Sequence, residues 1–597
     1  MKLSRLLLIS AVLISFTSCD DLFEPALENN QDISQMYKDP TFARGLLDNA
    51  YLALPYSESP SSDAATDDAV INQNGDNYKK MATGSWAANM NPVSQWDGRY
   101  HAIQYCNLML ENCDKVEWAY SSKVLNQMFC DNYKGNAYAL RGLHMFYLLR
   151  AHAGMVDGQL MGVPIHLSSE NSKSDFNLPR NTFKECVDQI MSDFDEALKY
   201  LPEQYVDVDE NGVPAKYVQL GATNDTYNHA LGSIHRGKID GRIISAFKAQ
   251  LAIMAASPAY ASANVMSYED AAKYAADCLQ KFGGLDAIDP NGWNWFANTK
   301  MIDNLGATSD NPKEIIWRAN VSKSHSLESD NYPPSLFGSG KINPTQNLVD
   351  AFPMANGYPI SDPNSEYDAK DPYANRDPRL KAYILCNGDK IGATDGVVNT
   401  AADSKTIDGL NRENGKSTKT GYYMRKLLRA DVNLNPSSTT DMMHLTARIR
   451  TTEILLDYAE AANEAQGPKA NVGGANYSAY DVIKAIRERA GLGEFGEDPY
   501  LEECAQSKEK MRELIRNERR LELCFENHRF WDLRRWKANL NEAAKGINIT
   551  TDATTGEYIY KTFDAEERKY SDYMYYGPIP YSEILKYSNL KQNEGWK

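Results

Sequence analysis

Pairs of predicted helices, the first of each pair rich in alanine, recur along the chain. Within each pair the second helix carries bulkier apolar residues at helical spacing and ends at a glycine or proline. Small side chains let two helices approach closely, and such hairpins bury their apolar faces only by stacking on one another. The sequence therefore predicts stacked helical hairpins over 137–153 with 182–201, 240–257 with 268–282, and 447–466 with 478–490.

Other segments interrupt this array. A helix is predicted over 41–54, a polar loop over 56–92, renewed helix from Val93 and a charged helix over 508–537. Between about 285 and 440 the helical periodicity is lost and Gly, Pro, Asn and Asp are frequent. This segment also contains short β-like runs, such as the one at 314–317. We therefore predict a mainly α fold, a tetratricopeptide-like helical-hairpin superhelix with an inserted loop-rich lobe that contains short strands. A chain of 597 residues needs more than one core.

Charge and cysteine content exclude several functions. The net charge of −17 argues against nucleic acid and against docking on anionic lipid, since both need a basic surface. The 36 Tyr, 17 Phe and 9 Trp exceed what a core requires and leave rings for a binding surface. Most cysteines are expected to be small buried side chains. Cys106 and Cys113 are too far apart along one helix to pair, whereas pairing of Cys504 with Cys524 stays open.

The N-terminus has the pattern of a lipoprotein signal. Lys2 and Arg5 precede an apolar run over 6–14, which is too short to span a membrane, and small residues lead to Cys19. We expect 1–18 to be removed, Cys19 to be acylated and 19–40 to form a tether. An ordinary secreted protein with a cysteine at its cleavage site is the alternative. Acyl chains would hold the protein on a membrane that it does not cross.

The sequence contains no complete motif for catalysis or metal binding among those considered. The acidic run from Asp207 begins like a calcium loop, but Val218 stands where a glutamate is needed. The Gly415-Lys416-Ser417 run lacks the spacing of a phosphate loop, and the sequence has no HExxH or GxSxG motif. Asp67 and Asp68 are expected to be solvated in a loop. We predict no enzyme activity and no cofactor, and a structural calcium ion is not indicated.

Five strings in the second half of the chain carry a family resemblance. They occur in a fixed order: NPTQNLVDAFPMANG (343–357), DPYANRDPRL (371–380), RIRTTEILLDYAEAANEA (448–465), IRNERRLELCFENHRFWDLRRW (515–536) and GPIPYSEI (577–584). Together they resemble the SusD/RagB family of surface nutrient-binding lipoproteins, and the likeness runs over essentially the whole chain. It implies an N-terminal helical region over 41–284 with a ligand loop at 56–92. It further implies an insertion lobe over 285–440 and a C-terminal helical region over 441–597.

The resemblance also implies a role. Members of this family sit on a SusC-type TonB-dependent transporter at the outer membrane, facing the cell exterior, and act as a hinged lid. They capture oligosaccharides, sometimes peptides, and are generally not enzymes. Asp20 and Asp21, directly after Cys19, resemble the acidic export signal of such lipoproteins.

The charged residues within these strings are interpreted structurally from the residues themselves. Opposite charges on the predicted helix over 508–537 are close enough to pair at helical spacing. Trp531 and Trp536 are expected to pack against the array, and Arg376 and Arg379 to brace the insertion lobe. Trp96 and Trp317 lie in periodic segments and are assigned to the core.

Ligand residues are sought among aromatic rings in polar loops. A sugar ring offers an apolar face and a rim of hydroxyls, so it needs an exposed aromatic plane beside hydrogen-bonding side chains. Packing of these rings into the core is the alternative. The candidates are Trp86 with Tyr78 and Asn89, then Trp293 and Trp295, then Tyr332.

Three functions stay open. The first is capture of an oligosaccharide in a shallow aromatic cleft, with micromolar to millimolar affinity, roughly −4 to −8 kcal/mol. The second is capture of peptides by the same architecture through backbone hydrogen bonds. The third is a helical-repeat scaffold that binds only protein, with the transporter as sole partner.

Overall fold

The computed structural model describes residues 33–57, 59–493 and 497–597. The predicted signal segment 1–18 and Cys19 lie outside the described residues, as does most of the tether. Within the described ranges, no helix combines the length and the apolar character needed to cross a bilayer.

Helices form most of the regular structure. In the part of the chain that the structure describes, the α-helices are α1 (Pro40–Leu52), α2 (Asn77–Lys80), α3 (Trp96–Asn112), α4 (Lys123–His152), α5 (Phe183–Leu198), α6 (Ala215–Val218), α7 (Asn224–Leu231), α8 (Gly241–Ala256), α9 (Tyr268–Gln280), α10 (Thr299–Asp303), α11 (Ser326–Asn331), α12 (Gln346–Ala351), α13 (Pro378–Tyr383), α14 (Thr451–Gln466), α15 (Ala479–Arg489), α16 (Pro499–Cys504), α17 (Lys508–Leu523), α18 (Arg529–Arg535) and α19 (Tyr581–Lys586).

The long helices stack as the alanine pattern predicts. Helix α4 packs against α3 and α5, α8 against α9 and α5, and α14 against α9, α15 and α17. The second helix of each predicted pair begins with a capping box, at Thr182, Ser267 and Ser478, which satisfies two free backbone N–H groups at that end. Alanines on α8, α9 and α14 are buried at the contacts. The mainly α, hairpin-repeat fold is confirmed.

Short strands supply the remaining regular structure. They are β1 (Ala69–Ile71), β2 (Gly154–Val156), β3 (Gln159–Met161), β4 (Ile315–Arg318), β5 (Ser322–Ser324), β6 (Ile342–Pro344), β7 (Ile384–Leu385), β8 (Lys390–Ile391), β9 (Gly396–Val397), β10 (Tyr423–Met424), β11 (Met442–His444), β12 (Ala447–Arg450), β13 (Ala544–Thr551) and β14 (Tyr558–Glu566). Each pairs antiparallel with one other strand, in the pairs β1–β6, β2–β3, β4–β12, β5–β11, β7–β10, β8–β9 and β13–β14.

Three apolar clusters divide the interior. The main one follows the helical array and includes Trp96 and Trp317, as expected. A second, built around Phe352 and Tyr383, collects the short strands between about 295 and 445. A third joins Trp86 to the C-terminal Trp596. The loop 56–92 contributes to the second and third clusters, so it belongs to the packed interior and not only to the surface.

Three helix boundaries differ substantially from the prediction. Helix α4 begins at Lys123 and not at 137. Residues 447–450 are not helical but form β12, because they pair with β4, and the helix starts only at Thr451. The predicted helix over 508–537 is two helices. Phe525 (φ 60°) and Asn527 (φ 63°) adopt left-handed backbone conformations between them and turn the chain.

The charges on these two helices mostly pair with other elements, which contradicts the expected pairing along one helix. Arg379 is fully buried and contacts Asp377 at 2.7 Å, Glu518 at 2.9 Å and Glu522 at 3.1 Å. Arg487 reaches Glu518 at 2.7 Å. Of the described ion pairs on α17 and α18, only that of Asp532 with Arg535 lies within one helix. The network joins the C-terminal helices to the inserted lobe, as the bracing role of Arg379 predicts.

The cysteines of the described residues are all free and buried. This confirms their assignment as small core side chains. Cys504 and Cys524 are therefore not paired with each other, which closes the alternative left by the sequence.

Candidate functional site

A cavity of about 240 Å³, here called the central cavity, lies where the helical array meets the loop after α1 and the turn before α18. Its walls come from the C-terminal end of α4, the C-terminal half of α8, the junction of β12 with α14, and the segment that enters α18. The side chains that give the cavity its chemistry are Tyr56, Tyr78, Gln95, Arg150, Arg448 and Trp531.

Aromatic rings form the apolar part of the wall. The rings of Tyr56 and Tyr147 meet edge to face at 6.0 Å, and the Tyr147 hydroxyl donates to the Tyr56 oxygen at 2.7 Å. Trp531 and Tyr78 are half-buried, and the Tyr78 hydroxyl donates to the Pro92 carbonyl at 3.3 Å. The cavity thus offers rings from three separate segments of the chain.

Free hydrogen-bonding groups lie beside these rings. Within the described ranges, neither the Gln95 side-chain amide nor the Trp531 indole nitrogen has a hydrogen-bond partner. Binding sites for small ligands typically combine such an apolar lining with a few polar groups that fix orientation. The central cavity has this composition.

A compensated acidic cluster lines the inner side of the cavity. Glu453 accepts a hydrogen bond from Gln250 at 2.7 Å. Burial, and then the neighbouring Asp457, raise the pKa of Glu453 to about 8, so this carboxyl is mostly protonated near pH 7. Burial lowers the pKa of His528 to about 3, so its imidazole is neutral. Asp457 pairs with Arg519 at 2.8 Å.

A smaller cavity of about 70 Å³ adjoins the central cavity on the side of the inserted lobe. Ser57, Ala447, Glu526 and Asn527 line both. The smaller cavity is mainly apolar and includes Trp295, whose buried indole nitrogen lacks a partner within the described ranges. The two cavities together run from the array toward the second cluster.

Trp86, the first candidate ligand residue, is not exposed, and the prediction of a free ring face there is wrong. Its side chain is 4% exposed and packs on Trp596 at 4.9 Å between ring centres. The indole nitrogen donates to Asn91 at 3.0 Å, and Phe530 and Tyr570 also contact the ring. Trp86 is therefore a packing residue, as the alternative interpretation holds, because the C-terminal segment covers its ring.

The other candidates are scattered. Trp295 and Tyr332 are buried in the second cluster, and the Tyr332 hydroxyl donates to the Arg429 carbonyl, so neither offers the predicted exposed ring. Trp293 is half-buried against Tyr383 at 6.5 Å. Asn89 is exposed but does not line either cavity. Of the six candidates, Tyr78 alone lines the central cavity, and Trp295 lines the adjoining one.

One further expectation is corrected. Asp67 and Asp68 are buried and not solvated, because Arg520 contacts Asp67 at 2.9 Å and Arg529 contacts it at 3.0 Å. Asp209 caps a short turn by accepting from two backbone N–H groups. Across the described part of the chain, no group of three His, Cys, Asp or Glu side chains is arranged to hold a metal ion.

Sequence reasoning missed most of the cavity. Tyr56 lies in a segment predicted only as loop. Trp531, which is expected to pack on the array, is half-buried with its ring against Arg150. Arg150 lies in an apolar helical segment, and Arg448 lies in a strand. A cation at such a position was the sequence signal that could have pointed to the cavity. Trp536 does pack as expected and donates from its indole nitrogen to Glu460 at 2.8 Å.

Stacked helical hairpins with an inserted lobe of short strands define a helical-repeat protein, and its central cavity lies within the helical array. A family model described as the SusD family matches residues 275–596, more than half of the chain, and a second, described as starch-binding associating with outer membrane, matches 27–216. The chain belongs to the SusD family.

Three individual relatives share only 20–31% sequence identity with this chain. A SusD-like protein P2 of Formosa agariphila is 31% identical over 145 residues, which are 24% of this chain and 24% of that protein. A SusD-like protein of Bacteroides fragilis superposes with a TM-score of 0.70 at 23% identity, covering 96% of this chain and all of the other. A SusD-like carbohydrate binding protein of the same species gives 0.66 at 20%, covering 93% and 100%. At these identities the solved structures establish the fold.

Proposed function

We propose that this protein captures an oligosaccharide at the central cavity, on the outer face of the outer membrane, and delivers it to a SusC-type TonB-dependent transporter. The observation that carries the proposal is the composition of the cavity. Rings of Tyr56, Tyr78 and Trp531 stand beside unpaired donors, which suits a ligand with an apolar ring face and a hydroxyl rim.

Family membership supports the choice of ligand and location. One matching family model carries starch binding and outer-membrane association in its description, and one structural relative is named a carbohydrate binding protein. Capture, delivery and the lipid anchor at Cys19 belong to the proposal.

Binding is tested by calorimetry across a panel of oligosaccharides, with a peptide panel in parallel. We expect Trp531→Ala and Tyr78→Ala each to weaken glycan binding by about tenfold, which is about 1.4 kcal/mol. Tyr120→Ala is the matched control, because that ring is 94% exposed and lies outside the cavity. Binding of peptides alone, or glycan binding that both cavity variants leave unchanged, would contradict the proposal.

Delivery is tested in cells. We expect the protein to copurify with a TonB-dependent transporter after gentle extraction of the outer membrane. Trp531→Ala should slow growth on limiting amounts of the bound glycan without disturbing copurification. Intact growth of this variant would favour the scaffold that binds only protein.

A further inference from the structure

Arg150 points a cation into the central cavity without a matching anion. It lies in the last turn of α4 and stacks on Trp531 at 4.4 Å and on Tyr147 at 4.8 Å. In the described part of the chain it has neither an ion pair nor a hydrogen bond, and its buried Nε lacks a partner. A guanidinium stacked on rings keeps its N–H groups in its own plane, free to donate.

Arg448 repeats this arrangement at Tyr56, the other ring of the tyrosine pair. It lies in β12, over Trp317 at 4.4 Å and over Tyr56 at 5.2 Å. Its Nε is buried and unpartnered, and among described residues no carboxylate lies within ion-pair distance. Burial lowers the pKa of Arg448 and that of Arg150, as expected for cations that lack an anion.

The other arginines of the cavity are fully paired, which makes these two distinctive. Arg450 contacts Glu314 at 2.6 Å and Glu526 at 2.7 Å. Arg519 contacts Asp457 and Asp532, both at 2.8 Å. Arg535 contacts Asp532 and Glu460. The cavity therefore neutralises its arginines with carboxylates except at two positions.

The acidic groups of the cavity do not offset the two free cations. Glu526 is held by Arg450 and by Lys426 at 2.6 Å, and Asp532 by two arginines. Glu453 is mostly protonated near pH 7, as described above. A positive cavity thus lies inside a chain whose net charge is −17. Burying unpaired cations is costly, and a bound anion would offset that cost.

We propose that the captured saccharide is acidic, and that Arg150 and Arg448 bind its sulfate or carboxylate group while the neighbouring rings hold the sugar. The proposal rests on the function proposed above and specifies its substrate class. Guanidinium groups form short, charge-assisted hydrogen bonds with planar or tetrahedral oxyanions, often two at a time. Half-buried Trp531 and exposed Ser57 at the cavity give such a ligand access.

The test uses pairs of oligosaccharides that differ only in charge, titrated into the full-length protein by calorimetry. One pair is an oligocarrageenan and its desulfated form, and the other is an oligogalacturonate and its methyl ester, so the two arms separate sulfate from carboxylate. We expect at least one charged form to bind about tenfold or more tighter than its neutral partner, since hydrogen bonds to charged groups are strong. Raising NaCl from about 50 to about 500 mM should weaken that binding.

Variants assign the effect to the two arginines. Arg150→Gln and Arg448→Gln should each weaken binding of the charged form by about tenfold. Arg44→Gln makes the same charge change at an exposed surface pair and should have no effect. Arg150→Lys keeps the charge and should retain part of the affinity, which also serves if the Gln variant does not fold.

The outcomes separate the two proposals. If neutral forms bind as well as charged forms, or if both Gln variants keep full affinity for the charged form, the acidic-ligand proposal is wrong and oligosaccharide capture stands. If no glycan of either kind binds, the proposed function itself is wrong, and the acidic-ligand proposal is then wrong as well.

Discussion

Replacing Trp86 with alanine tests whether this residue is a packing residue or a ligand residue. The ring is 4% exposed and is covered by Trp596, Phe530 and Tyr570. Truncating a buried tryptophan to alanine removes apolar contacts and leaves a cavity, which costs about 3–5 kcal/mol. We therefore expect Trp86→Ala to lower the free energy of unfolding by several kcal/mol.

Polar contacts adjust this magnitude only slightly. The lost indole donor leaves Asn91 with another donor, the Val93 backbone N–H at 3.2 Å, so its oxygen stays satisfied. The Arg534 guanidinium lies 4.9 Å from the Trp86 ring, 3.4 Å from Phe530 and 5.0 Å from Tyr570, so two of its three ring contacts survive. Losing one such contact adds about 0.5–1 kcal/mol. The expected total is about 3.5–6 kcal/mol.

The assay is urea unfolding followed by tryptophan fluorescence and circular dichroism. Trp86→Phe retains most of the apolar volume and should cost less than half as much. Tyr120→Ala, at a ring that is 94% exposed, should stay within about 0.5 kcal/mol of the parent. A Trp86→Ala protein with parental stability and no glycan binding would refute the packing assignment.

Three further predictions concern buried charge. Arg379→Ala should cost about 3–5 kcal/mol in urea unfolding, because Asp377 and two glutamates lose their shared cation. The pKa of Glu453 rises from 4.5 to about 8 on folding, so the folded state holds the extra proton between these values. The free energy of unfolding should therefore fall as pH rises through this window, by up to about 1.4 kcal/mol per pH unit, and Glu453→Gln should flatten the profile. Burial alone would raise the pKa of Asp67, but Arg520 and Arg529 lower it below its usual value. Its stabilising contribution should thus be present near neutrality and lost on acidification below about pH 4, and Asp67→Asn should remove that acid sensitivity.

Each of these has a contradicting result. Arg44→Ala, at an exposed pair, is the control for Arg379, and equal losses in the two variants would show that burial does not matter. A Glu453→Gln protein with the parental slope between pH 4.5 and 8 would refute the raised pKa. An Asp67→Asn protein that loses stability on acidification as steeply as the parent would show that this carboxylate is not ionised by its arginine partners.

Helix location was predictable, but helix ends set by remote contacts were not. Alanine spacing and terminal Ser and Thr residues identify the hairpins, since both act within a few residues of the chain. Residues 447–450 carry the same local pattern as the helix that follows, yet pair with β4 more than 100 positions earlier in the sequence. The break after α17 is similar, because it places Glu526 against Arg450 and Lys426.

Ring exposure is likewise a nonlocal property. Trp86 lies in a polar loop, which favours an exposed ring, and it is the far C-terminal Trp596 that buries it. Tyr56 and Trp531 come from opposite ends of the chain and meet only at the central cavity. Polar neighbours in sequence therefore indicate where a loop is, and not which of its rings a ligand can reach.

The sequence alone determined the helical-hairpin scaffold, the inserted lobe and the family, because these depend on short-range periodicity, capping and ordered strings of residues. Tertiary structure alone decided which charges are paired and which are free. Arg379 and Arg150 carry the same charge. Carboxylates from distant parts of the chain pair with Arg379, which becomes a buried brace, but none pairs with Arg150, which stays an unpaired cation among the described residues.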